Sequence, residues 1–107
     1  LDQMERFWGG LVDQVAFVKY NPWEDTYEQP VNDVGAACSD LWRRMFVWWD
    51  GTVNPCDVDY KSTLAVGNAV QGSLGDLWRS SAYEKLRARH LGGERSGCFP
   101  CNRCTVV

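Results

Sequence analysis

The sequence contains no apolar run long enough to cross a bilayer as a helix, which takes about 20 consecutive residues. It has no secretory leader either, because its first stretch is amphipathic and carries Asp2 and Glu5. The first residue is Leu rather than Met, which fits a fragment, and a fragment would have lost any leader. Basic residues are outnumbered, 11 Lys and Arg against 14 Asp and Glu, giving a formal charge of -3 and a pI near 5.0. That balance argues against a nucleic-acid partner, which needs a basic stripe. Only Arg43-Arg44 and Arg87-Ala88-Arg89-His90 gather basic side chains, and both read as the solvated side of a helix or strand. The one histidine, His90, falls near a helix C-terminus, where a cation is favoured, and reads as a surface residue rather than a metal ligand. There is no Walker-type phosphate loop, no dinucleotide fingerprint and no nucleophile turn, so the common nucleotide-dependent and hydrolytic sites are excluded. No repeat or low-complexity segment is present.

What the chain does have is cysteine and tryptophan. Six Trp in 107 residues supply the large apolar area that a small core needs. The five cysteines are Cys38, Cys56, Cys98, Cys101 and Cys104. An odd count fits a disulfide framework poorly. Three of them form a CxxCxxC run, Cys98-Phe99-Pro100-Cys101-Asn102-Arg103-Cys104, a spacing that points to metal ligation in a reducing, cytoplasmic setting. Thiolates are soft anions. They suit tetrahedral Zn²⁺ and iron–sulfur clusters, whereas Mg²⁺ and Ca²⁺ want oxygen. Asp57 and Asp59 beside Cys56 read as turn residues and surface charge, with tuning of a bound metal as the sharper alternative.

Local patterns place these thiols. Met4, Phe7, Trp8, Leu11 and Val12 recur at helical spacing, and Val15-Ala16-Phe17-Val18 suits a buried strand. Tyr20 to Ala37 is rich in Asn, Pro, Asp and Glu and reads as a long connecting loop. Arg44 to Asp50 reads as a strand, Asp50-Gly51 as a hairpin turn, and Thr52-Val53-Asn54 as the return strand. Pro55 cannot donate to a ladder, so pairing should fail there and leave Cys56 at the frayed end. Ser73 caps one main helix, with Leu74, Leu77, Trp78, Ala82, Leu86 and Leu91 as its apolar stripe and Gly92-Gly93 as its stop. Glu84 can pair with Arg87 on its outer side. The expected fold is α+β: a small β-hairpin, one main helix and a cysteine-rich tail, preceded by a helix–strand unit.

The ordered set from Cys38 to Cys104 resembles the SPASM domain, or its shortened twitch variant, of radical S-adenosylmethionine enzymes. The resemblance is carried by Cys38, twelve residues, Gly51, four residues and Cys56; by Gly67-Asn68; by Ser73-Leu74-Gly75-Asp76-Leu77-Trp78-Arg79-Ser80; and by the cysteine tail. It implies that residues 1–37 are the end of a radical core plus a linker, and that residues 38–107 are the cluster-binding domain. It further implies an auxiliary [4Fe–4S] cluster that handles electrons or positions substrate beside a core domain of the same polypeptide. Five thiols cannot fill two four-cysteine clusters, so one cluster is expected. Cys38 and Cys56 match the hairpin ligands, and two more come from Cys98, Cys101 and Cys104. The CxxxCxxC motif that cleaves S-adenosylmethionine is absent, so the cofactor and its own cluster would belong to the missing core, and this stretch cannot start radical chemistry alone. Backbone N–H groups near Cys56 and in the tail are expected to bond to sulfur, and Trp48, Trp49 and Phe99 to shield the site. The competing account is a zinc-stabilised four-cysteine interaction domain without a redox role.

Overall fold

The computed structural model describes residues 1–20 and 22–107. Helix α1 spans Asp2–Trp8 and buries none of its residues. Its apolar side chains stay outside the core: Met4, Phe7 and Trp8 are all exposed, with the Phe7 and Trp8 rings edge to face at 4.9 Å. The expected strand at 15–18 does not form. Val18 is 90% exposed, and a lone strand with no partner to take up its N–H and C=O groups has no advantage over solvated coil. The connecting stretch is less irregular than its composition suggests, because Trp23–Glu28 forms a 3₁₀ turn. Asn21, within that expected loop, lies outside the described residues.

The hairpin forms as expected but short. Strands β1 (Phe46–Val47) and β2 (Thr52–Asn54) pair antiparallel, with Phe46 opposite Asn54 and Val47 opposite Val53. Gly51 makes the turn at φ +89°, and a Cβ there would lie 2.6 Å from Asn68 Oδ1. A third strand, β3 (Gly67–Asn68), pairs antiparallel with β2, placing Thr52 opposite Asn68 and Val53 opposite Gly67. Val53 is thereby central in a three-stranded sheet and has no exposed surface. No β-branched run announces β3, so its two residues read only as a motif in sequence.

The single main helix is in fact two. Helix α2 covers Leu74–Trp78, with Ser73 Oγ accepting from Asp76 N–H. Helix α3 covers Ser81–Leu91, with Ser80 Oγ accepting from Tyr83 N–H. Ser80 is extended and starts a fresh helix, because its hydroxyl offers the first turn a cap that competes with continued helix. The inward face of α3 is Tyr83, Leu86, Arg87 and His90, spaced i, i+3, i+4, i+7. The apolar stripe expected from sequence is therefore corrected: Leu74 and Leu91 are exposed, and two basic side chains take inner positions. Arg87 Nε donates to Leu41 O and Nη1 to Trp78 O and Glu84 Oε1. Its guanidinium lies 4.3 Å from the Trp78 ring and 4.2 Å from that of Tyr83. The small apolar centre joins Leu41, Leu86 and Cys98. Among the described residues no helix is long and apolar enough to cross a membrane.

Candidate metal centre

Three stretches carry the thiols to one place. The first is the segment at Cys38, just before a 3₁₀ turn at Ser39–Trp42. Cys38 N–H donates to His90 Nδ1 at 3.1 Å, which ties the segment to α3. The second is the exit of the hairpin. Pairing stops at Asn54, as Pro55 requires, and Asn54 Nδ2 then donates to Cys56 O at 2.5 Å and Asp59 O at 3.2 Å. Asp59 is fully buried rather than a surface charge. Its carboxylate accepts from Tyr27 O–H (2.6 Å), Thr63 N–H (3.1 Å), Thr63 O–H (2.7 Å) and Leu64 N–H (2.8 Å). It organises the loop after Cys56 from within, and no hydrophobic pattern signals that.

The third stretch is the tail. Arg95 N–H groups take the carbonyls of Cys101 (3.1 Å), Cys104 (2.8 Å) and Ala36 (3.1 Å). Asn102 N–H donates to Cys98 O, and Cys104 N–H to Cys101 O, winding the run into tight turns. Asn32 joins from the connecting stretch, donating its backbone N–H to Asn102 O and its amide to Cys104 O.

Cys38, Cys56, Cys101 and Cys104 line one cavity of about 260 Å³. Leu41, Leu64, Val58, Pro100 and Val106 close it with apolar surface, and His90 and Arg95 stand on its wall. Cys98 does not line it. That thiol is buried against Leu41 and Leu86, and its Sγ donates to Glu94 O at 3.8 Å. Cys98 is thus the one cysteine of the five outside the cavity lining. All five are free of disulfides.

The expected shield is different from the observed one. Trp49 is 97% exposed, Trp48 donates to Ser62 Oγ on another face, and Phe99 packs on Tyr27. None of the three lines the cavity. His90 is also corrected from surface residue to buried wall, with 1% exposure. Burial, and then the charges of Arg95 and Arg89, hold its pKa below the ordinary value. Its Nδ1 accepts from Cys38 N–H, which assigns the ring proton to Nε2, and that atom is buried with no partner among the described residues.

The electrostatics of the thiols follow from the same burial. Cys56 is pushed up to about 11 by desolvation, with the N–H groups of Asp59 and Val58 drawing it back. Desolvation and then neighbouring Cys98 and Cys56 push Cys101 up to about 12. Desolvation raises Cys38 too, while the N–H of Asp40 opposes the shift. Val106 N–H donates to Cys104 Sγ at 3.5 Å. In three of the four cavity cysteines, the N–H two residues on faces the sulfur. Such N–H groups stabilise thiolate once a cation is present to draw the protons off. The donor set fits a thiophilic metal group: four soft sulfurs outnumber the two carboxylates on the lining, Asp40 and Asp57, in a largely apolar wall. Among the described residues no three His, Cys, Asp or Glu side chains are grouped to hold a single ion.

The family model for SPASM, an iron–sulfur cluster-binding domain, matches residues 38–105. No curated protein and no solved structure matches the chain. The matched span covers well over half the sequence, takes in all five cysteines, and contains every thiol of the cavity. The chain belongs to the SPASM family of iron–sulfur cluster-binding domains.

Proposed function

We propose that this chain holds one auxiliary [4Fe–4S] cluster through Cys38, Cys56, Cys101 and Cys104, as a cytoplasmic accessory to the radical core of an S-adenosylmethionine enzyme. The observation that carries this reading is the convergence of four thiols from three stretches on one apolar cavity. The match to an iron–sulfur cluster-binding family favours a cluster over a lone Zn²⁺. When bound, the cluster would accept or relay single electrons, or orient a substrate at the core. The chain's own residues supply the ligands, bond to their sulfurs, and exclude water with Leu41, Leu64 and Val106. Residues 1–20 fit the end of that core domain, whose surface would cover the apolar side chains of α1.

The test is iron, sulfide and zinc content after anaerobic purification and reconstitution. Four iron and four sulfide per chain, with broad absorption near 400 nm, are expected. One zinc, no iron and no colour after reconstitution would replace the cluster with a structural zinc site.

A further inference from the structure

Among the described residues two arginines are buried, and only one of them is paired with an anion. Arg87 is paired with Glu84 at 2.9 Å. Arg95, 1% exposed, meets three carbonyl oxygens and no carboxylate among the described residues. Burying a cation without a counter-charge is costly, and carbonyl dipoles replace only part of its lost hydration. The four cavity thiols, when protonated, give it nothing more. As thiolates around a metal group they would give it a net negative neighbour. Arg95 stands on the wall of that cavity.

We infer that Arg95 is the counter-charge of the cluster site, a positioning residue that clamps the backbone of two ligand cysteines while its cation sets how readily the cluster is reduced. This rests on the cluster reading above. The physical link is direct. Reduction adds one electron, hence one more negative charge, to a site already anionic, and a fixed cation nearby favours the reduced form. The same guanidinium joins Ala36, before the first ligand, to the tail that supplies the last two. One side chain therefore couples the closure of the site to its charge balance.

Arg95→Lys and Arg95→Gln both lose the three-way fork, and only the glutamine loses the charge. The experiment reconstitutes wild type and both variants with iron and sulfide. It measures iron content and then the reduction potential by dithionite titration followed by electron paramagnetic resonance. At a fixed ambient potential, the reduced-to-oxidised ratio of Arg95→Gln should fall about tenfold, a shift of about 59 mV for one electron. Arg95→Lys should stay within about threefold of wild type. An Arg95→Gln chain that takes up no iron, beside a loaded Arg95→Lys chain, supports the same conclusion. Equal shifts in both variants, no shift in either, or loss of iron in both would overturn it, because lysine keeps the charge. A wild type that holds zinc and no iron instead overturns the cluster reading itself, independently of what the variants do.

Discussion

Helix α1 carries Met4, Phe7 and Trp8 at helical spacing and buries none of them, while α3 buries Arg87 and His90 on its inward face. The two helices show that an apolar pattern alone does not decide burial. What matters is what lies opposite. Nothing in the described residues offers α1 an apolar surface, so its amphipathic pattern has nowhere to go. Opposite α3 lie unpaired backbone groups: the carbonyl of Leu41, which takes Arg87, and the N–H of Cys38, which gives to His90. A polar side chain that satisfies them is better placed there than an aliphatic one, because a buried unsatisfied backbone group costs about 1–3 kcal/mol.

The sharpest break between the two regions should come from the thiols. Cys56→Ala and Cys101→Ala are expected to abolish iron retention on reconstitution, whereas Cys98→Ala should retain it, as iron analysis of the three variants will show. Next in size is Asp59→Ala. It strands the Tyr27 hydroxyl and the N–H groups of Thr63 and Leu64, at about 1–3 kcal/mol for each donor left buried and unpaired. A urea melt of the metal-free chain should show the loss, and an unchanged midpoint would refute the role given to that carboxylate. His90→Ala leaves the single N–H of Cys38 without its acceptor and should cost about 1–3 kcal/mol in the same melt.

Alkali provides a gentler probe. In the unfolded chain a thiol ionises near 9.0, while burial holds the proton on Cys56 to about 11 and on Cys101 to about 12. Above pH 9 the unfolded state sheds protons that the folded state keeps, so stability is full below that point and falls as pH rises toward 11. Each thiol contributes at most about 1.4 kcal/mol over the first pH unit. A metal-free chain whose midpoint is flat from pH 8 to 10 would contradict the burial described for these two. The smallest effect belongs to α1: Phe7→Ala, at an exposed position, should change stability by no more than about 0.5 kcal/mol.

Much of the site could be read from the letters. The hairpin was visible in Asp50-Gly51 and in the stop at Pro55, because turn chemistry and a missing donor are local properties. The thiol set was visible in its spacing, and the SPASM resemblance ordered it. Three things were hidden. Ser80 splits one expected helix into two, and a serine caps or continues a helix with little to distinguish the cases in sequence. Asp59 and His90 were placed at the surface because polar side chains usually lie there. Their burial depends on long-range partners, Tyr27 for one and Cys38 for the other. That Cys98 stands apart from the cavity could not come from a CxxCxxC run, where all three look alike. It rests on packing: Cys98 is buried against Leu41 and Leu86 while Cys101 and Cys104 line the cavity.

Tyr27 touches Asp59, and Asn32 touches both Asn102 and Cys104. These two residues precede the stretch that the family match covers, yet they hold the floor of the hairpin loop and of the tail. Anyone transplanting the thiol-bearing part into another scaffold would therefore have to cut ahead of Tyr27. A graft beginning at Cys38 would carry every ligand and leave behind the rivets that keep two of the three ligand stretches in register.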